Sequence, residues 1–336
     1  MTQTGATTDP APGQEDARRR RGARLIRVLA MEAILLALIL VLVAIAPGFA
    51  TLGNLLNVLR TVSMLGIIAF GMTAVIIAGE IDLSVGAGAA LAGCIVAWFS
   101  GAWSDAIGYG PAILIGFVVA LVVGAASGTL SGKVRQWFNV PTFITTLGMF
   151  TALRGAANLI TGGFPLATFP DWFSFFGAGA LLGIPFPVYV FAGVFLLMHF
   201  LMKYTGFGRA VYAVGGNAEA ARLSGIDVYR IKTLTLAITG MLTAVTGTLL
   251  ASLIGSGVGT TATGMELDVI AAVIIGGTSL FGGKGRIWGT LLGVIFLGCI
   301  SNGMTLLNVS EYWQLVARGA IILGAVLLNQ LLERIR

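Results

Sequence analysis

Residues 209–232 read RAVYAVGGNAEAARLSGIDVYRIK, with Arg209, Glu219, Arg222, Asp227, Arg230 and Lys232 supplying charge of both signs. Lipid could not accommodate such a run. The chain around it is of the opposite character: 57% of its 336 residues are hydrophobic, 10% are charged, and the mean hydropathy is +0.95. A soluble fold carries about a quarter charged residues and does not repeat apolar runs of about 20. The sequence therefore describes an all-α polytopic membrane protein, and 209–232 is the piece that must stay in water.

Working outward from that stretch, breaks at polar, Gly and Pro positions leave ten apolar runs, each near the ~20 residues needed to cross hydrocarbon. They fall at about 28–46, 55–79, 83–101, 111–131, 141–160, 186–204, 233–255, 267–282, 287–307 and 312–332. With the N-terminus inside, ten crossings place seventeen of the twenty basic residues in inner segments and none in an outer loop. That is the positive-inside pattern, and one span more or fewer would destroy it. Both termini are then cytoplasmic, and 205–232 is the longest cytoplasmic loop. Residues 1–27 form a polar, basic tail expected to be disordered, ahead of a membrane domain over 28–336. The first apolar run is too long for a signal-peptide core, and Pro47 follows Ala44 and Ala46 directly, so it reads as a retained span.

Chemistry-bearing residues are sparse. Cys94 and Cys299 lie in apolar runs without metal or redox spacing, and the lone histidine, His199, has no ligand partner. TSLFGGKG (278–285) approaches a phosphate-binding loop, but Thr278 replaces the first Gly and Gly285 the Mg²⁺-binding Ser or Thr, so it reads as a flexible inner turn. GEIDLSVG (79–86) and MELDVIAA (265–272) each open a span with carboxylates two apart, Glu80/Asp82 and Glu266/Asp268. Five crossings separate them, the first at the inner face and the second at the outer, as two inverted five-helix halves require. Residues two apart face nearly opposite sides of a helix, so these carboxylates read as helix-start caps or as groups lining a path. Arg60, Arg154 and Arg318 fall in the outer third of their spans. They either snorkel to the interface or line a vestibule with Asn158, Asn302, Asn308 and Gln314. Glycine rows at 124/128/132 and 289/293 allow close helix approach, within a bundle or across a dimer. The aromatics of FPDWFSFFG (169–177) read as a segment lying on the outer interface, or as a contact for an extracytoplasmic partner.

Within the quoted stretch, Asn217 is a good N-cap, Glu219 suits the first turn, and Gly225 suits the left-handed position after the last. A helix over Ala218 to Ser224 is too short to stand alone, and its small face, Ala218, Ala220 and Ala221, is shaped to pack against a partner. Glu219-Ala220-Ala221, three residues, then Gly225 resembles the EAA-x-x-x-G signature of bacterial ABC importer membrane subunits. GGNAEAARLSGI (215–226), GEIDLSVG, PTFITTLGM (141–149), ELDVIAAVIIGGTSLFGGKG (266–285) and NGMTLL (302–307) resemble the permeases of ribose/xylose/arabinose-type sugar importers, in order over roughly 54–330. Two positions depart: Glu80 stands where these permeases usually have Gly, and Glu311 where Pro is common.

The resemblance implies a translocation subunit of the inner membrane that is not itself an enzyme. Its expected partners are an ATP-binding cassette subunit carrying ATP and Mg²⁺, an extracytoplasmic sugar-binding protein, a second permease chain as a homodimer, and membrane lipid; no nucleic acid and no cofactor or metal on this chain is expected. Asn217, Glu219, Ala220, Ala221 and Gly225 are the implied coupling residues. Arg60, Glu80, Asp82, Arg154, Glu266, Asp268 and Asn302 are the candidates for the solute path. An importer of nucleosides or of a sugar-like signalling molecule stays open, and so does, in another class, an ion-coupled secondary transporter.

Overall fold

The computed structural model describes residues 31–334; the basic tail 1–27 and the opening of the first expected span lie outside them. The chain is overwhelmingly helical. In order come α1 (Met31–Ile45), α2 (Leu52–Ile77), α3 (Val85–Ile107), α4 (Tyr109–Phe138), α5 (Thr142–Thr161), α6 (Phe186–Tyr204) and α7 (Gly206–Gly216). They are followed by α8 (Ala218–Leu223), α9 (Val228–Ile254), α10 (Met265–Ile275), α11 (Ile287–Leu306) and α12 (Glu311–Arg334). A 3₁₀ turn at Asp171–Phe176 and an antiparallel pair of two-residue strands, β1 (Ala180–Leu181) and β2 (Ile184–Pro185), join α5 to α6.

Among the described residues seven helices, α2, α3, α4, α5, α6, α9 and α11, are long and apolar enough to cross a membrane. They coincide with seven of the expected runs. α10 differs. Its 11 residues reach only ~16 Å, about half of the hydrocarbon thickness.

α9 is the central element, packed on α2, α3 and α4. The glycine rows face into the bundle. A Cβ at Gly124, Gly128 or Gly132 would meet Gly240, Leu236 or Thr233 of α9, and one at Gly289 or Gly293 would meet Gly276 or Ala272 at α10. Lipid supplies no hydrophobic drive between helices, so such backbone-to-backbone contact is what holds them. Buried threonines of α9 cost little because Thr239, Thr243 and Thr248 each return their hydroxyl to the carbonyl four residues back. α1 lies against α11, with Leu42 over Gly303 and Trp288 Nε1 donating to Glu32 at 3.3 Å.

Three expectations change. The carboxylate motifs do not open at opposite faces: a Cβ on Gly86, at the start of α3, would meet the Glu266 carboxylate and the Ala262 carbonyl at the start of α10. Two helix starts in contact cannot sit ~30 Å apart. Residues 80–84 run up to α3 outside any helix, and 256–264 lead to α10, so the two helices begin together inside the bundle. The aromatic segment 169–177 is not simply laid on the surface either. Phe173 is buried, Ser252 of α9 donates to its carbonyl at 2.5 Å, and Gly177 N donates back to that hydroxyl at 2.8 Å. Finally, the 205–232 loop is itself largely helical. Thr205 caps α7 by accepting from Gly208 N at 3.3 Å, and Gly208, Val211 and Val214 form its buried stripe.

Candidate functional site

α7 and α8 make an elbow at one end of the bundle. Asn217 separates them, with extended backbone, and its side chain accepts from Ala220 N at 3.0 Å. After Leu223 the chain turns through Gly225 at φ +84°, where Gly225 N donates to Arg222 O and Ile226 N to Ala221 O, both at 3.0 Å. This double closure satisfies the last carbonyls and makes a six-residue helix definite at both ends. Ala221 is buried while Glu219, Ala220, Arg222 and Leu223 are exposed. Hydrogen bonds from Arg222, then its charge, hold the Glu219 carboxyl below the ordinary carboxylate range. An exposed pair of this kind adds little stability, so the elbow presents charge and Leu223 to whatever lies outside.

The elbow is anchored by the 278–285 turn. Gly215 fits where a Cβ would collide with Ile77 O, and Gly283 N donates to that same carbonyl at 2.8 Å. Tyr212 Oη donates to Gly285 O at 2.9 Å, and burial pushes its phenol up. The turn is thus pinned rather than flexible. Its Phe281 stays exposed beside a surface depression of about 390 Å³ shared with Gly215 and Gly216.

Just behind, Glu80 is buried and ion-paired twice: Lys232 Nζ of α9 lies 2.6 Å from Oε1, and Arg135 Nε of α4 lies 2.9 Å from the same oxygen. The Lys232 contact is a hydrogen bond; the Arg135 contact lacks the alignment of one. Asp82 turns toward Ser84, accepting from its N at 2.8 Å and its Oγ at 2.6 Å, and so organises the entry to α3. Glu80 thus ties α4 to α9 near the elbow, whereas Asp82 closes locally on Ser84.

The remaining candidates separate into three places. Arg154 does not snorkel: Nη1 donates to Gly259 O at 2.7 Å and Thr261 O at 2.8 Å, fixing the segment that leads to α10. Glu266 lies near it, buried against Gly86, with Oε2 lacking a hydrogen-bond donor among the described residues. Asn302 is spent on Asn54 through a reciprocal amide pair at 2.8 and 2.9 Å. Arg60 and Asp268 come together with Arg318 on a cavity of about 270 Å³ between α2, α9, α10, α11 and α12. Arg318 Nη1 pairs with Asp268 Oδ2 at 3.0 Å, and Arg60 Nη2 donates to Ala178 O at 3.1 Å. Sequence reasoning missed the Lys232 and Arg135 partners of Glu80. The only signal was that both are basic residues near the ends of apolar runs.

Half-buried arginines spent on carbonyls and carboxylates, two helices begun inside the bundle and one exposed capped helix define a polytopic helical membrane protein of the transport type. The chain belongs to the branched-chain amino acid transport system permease component family, whose model matches residues 54–326. It is 42% identical over 299 residues to the ribose import permease protein RbsC of Escherichia coli, covering 88% of this chain and 91% of that one. It is 35% identical over 326 residues to the L-arabinose ABC transporter permease protein AraH of Azospirillum brasilense, covering 96% and 94%. It is 33% identical over 356 residues to the xylose transport system permease protein XylH of Haemophilus influenzae, covering 87% and 93%. No solved structure gives a significant match.

Proposed function

We propose that this chain is the membrane-spanning subunit of an ATP-driven importer that passes a monosaccharide, of pentose type, from a binding protein into the cytoplasm. The observation that carries the reading is near full-length similarity to three permeases named for ribose, arabinose and xylose. The family description mentions branched-chain amino acids, but the named relatives point to sugars.

In this reading α8 docks on a separate ATP-binding subunit that holds ATP and Mg²⁺, and Asn217, Glu219, Ala220, Ala221 and Gly225 form the coupling element. Its double capping and the exposure of Glu219 and Ala220 support that assignment; Ala221, expected on the docking face, is instead seated against the chain itself. Two copies of the chain pair in the bilayer, each crossing ten times as two inverted five-helix halves with both termini inside. The distribution of Lys and Arg supports the orientation, and the matched beginnings of α3 and α10 inside the bundle support the halves.

The test is uptake of labelled ribose, arabinose, xylose and leucine by cells carrying the complete importer. Sugar uptake should stop on ATP depletion and survive collapse of proton and sodium gradients; the reverse result would make the chain an ion-coupled transporter. Glu219→Ala and Gly225→Val should each weaken uptake while membrane insertion stays normal, and wild-type rates in both would remove α8 as the coupling element.

A further inference from the structure

The cavity at the Asp268–Arg318 pair has a composition that selects among solutes. Its volume, about 270 Å³, sits just below the usual range of small-molecule pockets. The wall is of two kinds. Asn57, Arg60 and Thr61 lie on one face of α2 and are met by Asp268, Ser301 and Arg318 from α10, α11 and α12. The apolar part includes leucines of α9 and α11, Leu250, Leu253 and Leu297.

Charge narrows the choice further. Asp268 and Arg318 neutralise each other at 3.0 Å, so the wall offers acceptor and donor side by side. Arg60 and Arg318 each spend an outer guanidinium nitrogen on the protein, on Ala178 O and on Asp268 Oδ2, and both residues line the cavity. An anionic solute would face the Asp268 carboxylate, and a cationic one would face two guanidinium groups. Vicinal hydroxyls, which donate and accept at once, fit this arrangement, and the C–H face of the same molecule fits the leucines.

We propose that this cavity is a transit site within the permease for one small, neutral, polyhydroxylated solute, oriented by Asp268, Arg318 and Arg60. The identity of the solute as a monosaccharide rests on the importer reading. Among the described residues no aromatic ring lines the cavity to stack on a sugar, so the site holds its occupant weakly, as passage requires. Glu80, Asp82, Arg154, Glu266 and Asn302 do not line this cavity.

The test uses the complete importer in vesicles, with the permease changed to Cys94→Ala, Cys299→Ala and Ser301→Cys. Reaction of the new thiol with a small charged thiosulfonate is timed with and without ribose, and ribose uptake is measured in parallel. The expected result is modification slowed about twofold or more once ribose half-fills the site, with leucine giving no protection. Thr61→Cys in the same background serves if Ser301→Cys does not assemble. Ribose uptake without protection at either position overturns the transit site and leaves the importer reading standing. Protection by leucine and not by ribose overturns the polyhydroxylated assignment. If the wild-type importer takes up none of the three sugars, the importer reading itself fails.

Discussion

Single residues in this protein matter through what they would leave behind. Glu80 is the carboxylate that Lys232 and Arg135 share, and its side chain is 4% exposed. Glu80→Gln keeps the volume but strands Lys232 in a nearly dry position, a change that costs about 3 kcal/mol in buried pairs. Thermal unfolding in detergent should show the loss, and adding Lys232→Met should recover much of it. An unchanged melting temperature in the single variant would mean that the pair holds nothing. Gly86 is constrained differently: any Cβ there would press on the Glu266 carboxylate and the Ala262 carbonyl. Gly86→Ala should cost about 1–3 kcal/mol as overpacking, and Glu266→Ala in the same chain should relieve part of it, read in the same melt.

At the level of elements, the helices divide by what holds them. α8 depends on its ends, since six residues have no helical stability of their own. Asn217→Ala removes the acceptor for Ala220 N and should cost about 1 kcal/mol of local stability. Faster amide exchange confined to α8 would show it, and unaltered exchange would deny the cap its role. α4 depends on its glycines. Gly128→Val should push α4 off α9, because the atoms it would meet are the Leu236 carbonyl and the Ala237 amide, which cannot rotate away. The measure is the yield of monodisperse protein in detergent, expected to fall sharply, whereas Gly148→Val on α5, where nothing stands within 4 Å, should leave it unchanged.

For the molecule as a whole, the elbow and the β1–β2 hairpin stand at opposite ends of α6, a helix long enough to cross the bilayer. Leu223 beside the elbow is 75% exposed, and Leu182 at the hairpin tip is 91% exposed. In a cysteine-free background, Leu223→Cys should react with a membrane-impermeant reagent only from the cytoplasmic side and Leu182→Cys only from the outside. Reaction of both from one side would break the ten-span threading.

Much of this was legible in the sequence because it depends on local rules. Apolar runs placed α2, α5, α6 and α11 within about three residues at either end and α3, α4 and α9 within about seven, and Asn217, Glu219 and Gly225 marked α8 through the needs of its own terminal amides and carbonyls. The tertiary structure alone decided which polar groups meet. Glu80 finds Lys232 across 152 residues, Asn54 finds Asn302 across 248, and Arg318 finds Asp268 across 50. A helix in lipid is apolar on nearly every side, so its sequence carries little sign of which face turns inward. For the same reason Arg60 and Asp268 could be named in advance, but not their meeting at one cavity, nor the diversion of Arg154 and Asn302 to holding the fold.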